Sequence, residues 1–558
     1  MKRCFRIFAC LLTLCVMLGS LSSCMTLARI GDFVHKWEKG EFPVYDASWR
    51  EYTLSEQDWK DFESALWHCR NLIEEDASYM TIDQSVMEME EIYYHIMTQA
   101  QVAYILYSMD MGDGRASTNY LDSSKMQTDA YDRYMSFCQE LYDSDYEYKD
   151  HYFANWTEEE LTLMRSYSDK VVELNDANDQ ILVKYRELRD ASSKSFSTQT
   201  GKLYMQLVEN NNAIAKEYGY DSYPAYAYET VYFRDYELED VEILRDHVRE
   251  YLIPLCIQVY DRFEENYDKL SNREKDQVSE LLYDDCQGVD AKWLKGYFNS
   301  LPTYMKRLMS DTLDSERAVY VDHEDALEGA FTGYLYEYQY PVCYFGPGYQ
   351  STFTVAHEAG HYFASYAQKG MSLSIDLAEV YSQANEFLFL SYLSESELDE
   401  DVYSVLADYQ LYQAISVIIV STIVDDFEQR VYTDSERFAS CADNKKTAEL
   451  DLCMKEVCQD YGGTKFVAEY LTSDIDLYWK YVVIENPMYY VSYAMSGIAS
   501  LDLYCKAMED YEGALEIYMD LTKYATPEDQ FLLNLEYVGL ASPFEKEIYE
   551  ALTETFGS

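Results

Sequence analysis

The chain has 558 residues, 48% of them hydrophobic, with only 9 Pro and 21 Gly. That length and apolar content allow a large core, and so few breakers favour long helices. The formal net charge of −57 argues against nucleic acid or an anionic lipid surface as partner, because like charges repel.

Residues 1 to 24 read as a targeting segment. Lys2, Arg3 and Arg6 give a positive start, and Ile7 to Leu18 is an apolar run too short for an ordinary membrane span. Leu21-Ser22-Ser23-Cys24 resembles a bacterial lipoprotein cleavage box. The resemblance implies that Cys24 becomes the lipidated first residue of a mature chain, anchored on the extracytoplasmic side of the bacterial cell membrane. A simple secretory peptide or an uncleaved anchor is the alternative. No later run reaches 18 apolar residues, and Val417 to Val424 reads as buried core. The nine cysteines beyond Cys24 are odd in number and scattered, with no C-x-x-C, so they read as buried thiols.

Residues 25 to 50 read as a tether. From Ser55 the pattern is helix after helix, and Ser55-Glu56-Gln57-Asp58 resembles a capped start. Met87 to Ser108, Lys125 to Asp143 and Thr157 to Leu188 read as helices, with a loop from Asp110 to Thr118. His68, His95 and His151 are isolated and read as structural or surface residues. Near residue 200 the texture changes, and a helix is expected to end at Gly219-Tyr220. Tyr236 to Phe263 is amphipathic, and Pro254 should kink or split it.

The main strand signal lies in residues 318 to 350. Tyr334 to Phe345 is aromatic and β-branched, preceded by Gly333 and followed by Gly346-Pro347-Gly348. His323 falls outside any motif and is not expected to be a ligand.

The stretch with most chemistry runs from residue 351 to residue 386. His357, Glu358 and His361 form H-E-x-x-H. On a helix, positions i and i+4 share a face, so the two imidazoles can bind one zinc ion. Glu358 lies beside them, placed to take a proton from water. Val355, Phe363, Tyr366 and Ala367 give the helix an apolar face, and Lys369-Gly370 resembles its end. Ser374 reads as the next N-cap and Asp376 as an acidic first-turn residue. A catalytic zinc usually has three protein ligands and an open position. Glu379 is the candidate third, and Glu386 follows two turns along the same face.

HEAGH followed by AEVYSQANE resembles the thimet oligopeptidase and oligoendopeptidase F family of zinc metallopeptidases, which carries HEFGH and then E-x-x-S-x-x-x-E. The resemblance implies one Zn²⁺ per chain held by His357, His361 and Glu379, with Glu358 as general base. Glu386 falls on the family's second glutamate and is implied to support the ligands. The family also implies a small sheet whose edge pairs with an extended peptide. Residues 476 to 500 resemble its aromatic stretch, which makes Tyr489, Tyr490 and Tyr493 candidates to donate to the developing oxyanion. Tyr489 and Tyr493 would share a helix face and Tyr490 would turn away; three core tyrosines are the alternative. Relatives carry a histidine shortly before these tyrosines, whereas this chain has no His after His361.

The resulting expectation is a mainly α, two-lobed helical zincin-type metallopeptidase with a deep channel and a small β-sheet beside the active site. The expected organisation is a signal peptide over 1–24, a tether over 25–50, an N-terminal helical region over 51–200 and a catalytic region over 201–558. The expected activity is zinc-dependent endopeptidase cleavage of short or unstructured peptides. The rivals are a lipid-anchored peptide-binding protein with little turnover, and a related metallocarboxypeptidase.

Overall fold

The computed structural model describes residues 47–153, 169–190, 196–283, 291–313, 316–368, 374–472, 475–524 and 531–557. The targeting segment with Cys24, residues 25–46 of the tether, Cys286 and Lys369-Gly370 lie outside them. In chain order the elements used below are α1 (Glu56–Glu74), α2 (Tyr79–Met109), α3 (Gly114–Asp143), α4 (Asp169–Asp190), α5 (Phe196–Glu217), α6 (Leu238–His247) and α7 (Ile253–Lys269). The strands β1 (Ala318–Tyr320), β2 (Ala330–Leu335) and β3 (Tyr340–Phe345) follow. Then come α8 (Thr352–Ala367), α9 (Ile375–Ser394), α10 (Glu400–Thr433), α11 (Asp443–Asp460) and α12 (Val491–Glu509).

Local chemistry explains several boundaries. Ser55 caps α1 through a capping box: Gln57 N–H donates to its hydroxyl at 3.3 Å, and its own N–H donates to Asp58 Oδ2 at 2.8 Å. Beyond α5, Gly219 takes φ +89°, and Tyr220 N–H donates to Ala215 O at 2.9 Å. That left-handed turn carries no Cβ penalty at Gly. Pro254 does not split its helix, whose backbone stays right-handed helical through Val248 and Ile253. A π-helical turn over Val248–Leu252 joins α6 to α7, and Pro254 sits in the first turn of α7. The loop expected over Asp110–Thr118 is shorter than predicted, because Asp113 accepts from Arg115 N–H and starts α3 at Gly114.

The chain divides into two compact units, each drawn from separate stretches. Of the described residues, one takes 47–153 with those from 283 to 368, the other those from 169 to 282 with those from 374 to 557. This differs from a single boundary near residue 200. The physical reason is that α5 packs on α4 and α11, so the helices on either side of residue 200 share one core.

In the first of these units, α1, α2 and α3 enclose Phe62, Leu66, Ile82, Met89, Tyr93 and Phe137. Its three strands run in the order β1-β3-β2, with β1 parallel and β2 antiparallel to β3. The sheet lies against α2 and α8. Tyr344 ties it to α2, its hydroxyl donating to Ser108 O at 2.6 Å. A Cβ at Gly346 would overlap Leu327 O, so only glycine permits that approach. Residues 47–50, expected as tether, belong to this unit instead. They form a short 3₁₀ turn in which Trp49 is fully buried and its indole N–H donates to Glu316 O at 3.1 Å. A Trp side chain is too large and apolar to leave in a solvated tether when a core lies within reach.

In the second unit α10 packs on α7 and α12, and α12 packs on α9. α10 is long and apolar enough to cross a membrane by length and composition, yet 67% of its apolar window is buried inside the protein. It also carries buried Asp425, Asp426 and Glu428. Arg245 donates to Asp425 Oδ2 at 2.6 Å and Tyr228 to Asp425 Oδ1 at 2.6 Å. Buried charge is tolerated when paired and hydrogen-bonded in this way. The eight cysteines within the described residues are free thiols, six of them buried.

Candidate active site

Ser351 caps α8, accepting from Thr354 N–H at 3.3 Å. Val355, Ala356, Ala359 and Phe363 are buried, which fixes the rotation of the helix on the sheet. That rotation leaves His357 and His361 half-buried and one turn apart. Their ring centroids are 5.0 Å apart with an interplanar angle of 79°. Burial, and secondarily His357, holds His361 well below its ordinary pKa. It is therefore neutral, the form in which an imidazole can ligate a metal.

Glu358 is 2% exposed. Thr332, on β2, donates from its hydroxyl to Glu358 Oε2 at 2.7 Å. Cys343 lies opposite Thr332 in the β2–β3 register, its Sγ 3.3 Å from the Thr332 hydroxyl. Burial, then the nearby Glu358 charge, pushes the Cys343 thiol well up, so it stays protonated.

The remaining expected residues lie in the other unit. Ser374 caps α9, accepting from Leu377 N–H at 3.3 Å. Glu379 is 4% exposed and accepts from the Ser382 hydroxyl at 3.1 Å. Glu386, two turns on, is half-buried. Tyr489, Tyr490 and Tyr493 are all buried around the start of α12. The Tyr489 and Tyr493 hydroxyls are 3.3 Å apart, although Tyr489 lies ahead of the N-cap of α12 and not on a helix face as expected. Tyr490 does not leave this group, for its ring centroid is 5.8 Å from that of Tyr493. Burial, then the charge of Glu379, raises the Tyr493 phenol well above its ordinary pKa. Tyr493 thus keeps its proton and can act as a donor.

Asp376 occupies the first turn of α9 as expected, and it is fully buried. It accepts from Tyr236 at 2.7 Å and lies 3.6 Å from Arg234 Nε. Arg234 in turn donates to Met488 O at 3.0 Å, Tyr489 O at 3.4 Å and Ser492 Oγ at 2.9 Å. It also stacks against Tyr228 and Tyr232, with its guanidinium carbon 4.3 and 4.5 Å from their ring centroids. Glu428 accepts from Met488 N–H at 2.8 Å, and Tyr232 donates to Pro487 O at 2.8 Å. The tyrosine segment is thus clamped from three sides, with Met488 held at φ +64°.

Sequence reasoning missed Thr332, Cys343 and Arg234, none of which belongs to a motif. Thr332 does lie within the strand signal, but nothing local marks it as a partner of Glu358. Outside the motif, Asp110, His323 and Asp325 bring ligand atoms within 4.8 Å of one another. Two of them already serve the backbone: Asp110 accepts from Gly112 N–H at 3.0 Å and His323 Nδ1 from Asp325 N–H at 3.2 Å.

A mainly helical chain with this histidine pair on a helix against a small mixed sheet has a helical, zincin-like peptidase fold. PZ peptidase A, solved with an inhibitor, is similar at TM-score 0.68 and 17% identity over 93% of this chain and 98% of its own. An oligoendopeptidase F-type structure from Bacillus anthracis is similar at TM-score 0.67 and 18% identity over 91% and 96%. An M32 carboxypeptidase from Deinococcus radiodurans R1 is similar at TM-score 0.53 and 13% identity over 84% and 97%. No family model matches the sequence, and neither does any curated protein. At these identities the likeness establishes the fold, and the chemistry rests on the residues themselves.

Proposed function

We propose that this protein is a zinc-dependent metalloendopeptidase of the oligoendopeptidase F type, hydrolysing short or unstructured peptides. The observation that carries the reading is the buried Glu358 carboxylate beside two half-buried imidazoles on one helix of a peptidase fold. The donor set suits zinc: two imidazoles on one helix face, with a buried carboxylate, Glu379, as the proposed third ligand. A zinc ion there would supply Lewis acidity toward water and the scissile carbonyl.

The protein's own groups do the rest. Glu358 takes a proton from the attacking water and returns it to the leaving amine. Tyr493, with Tyr489 against it, donates to the oxygen on which negative charge develops. Glu386 supports the ligand helix. β2, one of the two outer strands of the sheet, offers its edge to an extended peptide.

The test is purified protein against internally quenched peptides, with products read by mass spectrometry. The reading expects internal cuts, and Glu358→Gln should keep zinc and peptide while losing on the order of 10²- to 10⁴-fold in rate. The M32 carboxypeptidase neighbour favours a second reading, in which single residues leave the C-terminus. Zinc and peptide binding without any cut would favour a binding protein. We also propose an extracytoplasmic lipid anchor through Cys24, supported by Leu21-Ser22-Ser23-Cys24 after a short apolar run. Cys24→Ala should move the protein out of the membrane fraction.

A further inference from the structure

We propose that Thr332 is the positioning residue for the general base: its hydroxyl holds the Glu358 carboxylate in the orientation that accepts the water proton. The inference rests on the peptidase reading above and assigns a role that no motif in the sequence encodes.

The geometry is specific. Thr332 Oγ1 lies 2.7 Å from Glu358 Oε2, 3.3 Å from Glu358 O and 3.3 Å from Cys343 Sγ. A hydroxyl has one proton to give. The shortest of these contacts is to the carboxylate, and a charged acceptor forms the strongest bond. The thiol across the ladder keeps its own proton and can donate it to Thr332 Oγ1. The chain of donors then runs Cys343 to Thr332 to Glu358. Cys343 is fully buried and Glu358 nearly so, so the low local dielectric strengthens each bond.

The scaffold explains why this residue does the positioning. Glu358 sits on α8, its carboxylate at the end of a side chain with several rotatable bonds. Thr332 sits on β2, whose register against β3 is set by six residue pairs from Ala330↔Phe345 to Leu335↔Tyr340. A β-branched side chain in a strand is stiff at χ1, so its hydroxyl is a rigid anchor. Holding one carboxylate oxygen from the strand removes a rotational freedom that the base would otherwise lose in each turnover.

The experiment compares Thr332→Val, which keeps the shape and removes the hydroxyl, with Thr332→Ser, which keeps the hydroxyl. For the valine variant we expect kcat to fall by roughly 10- to 100-fold, the scale of a hydrogen bond to a charged group. KM and zinc content should stay within about twofold of wild type by the same accounting, since uniform binding is untouched. The serine variant should recover most of the rate. The two substitutions are then combined with Glu358→Gln. If Thr332 acts through Glu358, the valine substitution adds little in that background.

A full multiplicative loss in the Glu358→Gln background overturns the proposal, because Thr332 would then act independently of the base. So does an unchanged kcat in Thr332→Val, or a loss traced entirely to lost zinc or lost folded protein. If wild type cleaves and Glu358→Gln does not, while Thr332→Val equals wild type, the inference fails and the peptidase reading stands. If wild type cleaves no peptide, the peptidase reading fails and the inference with it.

Discussion

Arg234 and Asp376 form an ion pair, Nε to Oδ2 at 3.6 Å, with neither side chain exposed to solvent. Asp376 lies one turn before Glu379 on α9, and Arg234 also holds the backbone of Met488 and Tyr489. One guanidinium therefore joins the start of the proposed ligand helix to the segment carrying the candidate donor tyrosines. Removing it would leave a buried carboxylate without its cation and two carbonyls without a donor. Arg234→Met should cost about 3 to 5 kcal/mol, the scale of breaking a buried pair, read as a lowered denaturation midpoint. Arg234→Lys should rescue poorly, because a single ammonium cannot reproduce the planar fork or its stacking on Tyr228 and Tyr232. A lysine variant with wild-type stability and activity would show that the fork is dispensable.

Zinc content separates ligand from base. Metal analysis of wild type should give about one zinc per chain, the stoichiometry of a three-ligand catalytic site. His361→Ala should lose most of it, since one of two imidazoles on the same helix face is removed. Full occupancy in that variant would place the metal elsewhere.

Tyr493→Phe should lower kcat by on the order of 10²-fold with little change in KM, as expected for loss of a donor to a developing oxyanion. Tyr489→Phe should cost less, because its hydroxyl supports Tyr493 at 3.3 Å. Steady-state kinetics on one peptide series would rank them. Equal rates for wild type and both phenylalanine variants would reduce the cluster to core packing.

The Asp235 carboxyl is pushed up to about 6, chiefly by burial, although Leu532 N–H at 2.8 Å and Leu533 N–H at 3.2 Å both donate to it. A raised native pKa means the folded state binds this proton more tightly than the unfolded state. The contribution to stability is greatest below the ordinary carboxylate range and is lost as pH rises through about 6. Asp235→Asn carries no such charge. Relative to wild type, it should therefore gain stability between about pH 4 and pH 7, the window set by that shift. Thermal midpoints of both proteins across that range check the sign, and a parallel pair of curves would contradict it.

What the sequence determined by itself is the set of features with short-range causes. The Ser55–Asp58 capping box, the Gly219 turn and the π-helical turn ahead of Pro254 follow from caps, φ preferences and missing N–H groups within a few residues. The histidine pair is legible for the same reason, since i and i+4 on any helix share a face. What only the tertiary structure decided is how buried polar groups find partners. Thr332 reaches Glu358 across 26 residues, Tyr236 reaches Asp376 across 140 and Arg234 reaches Met488 across 254. Asp376 reads locally as an ordinary helix-start carboxylate, and Trp49 reads as part of a tether. Burial changes both, because a charge or a large ring withdrawn from water must be met by whatever groups the fold brings alongside it, and those groups carry no periodicity that a single sequence displays.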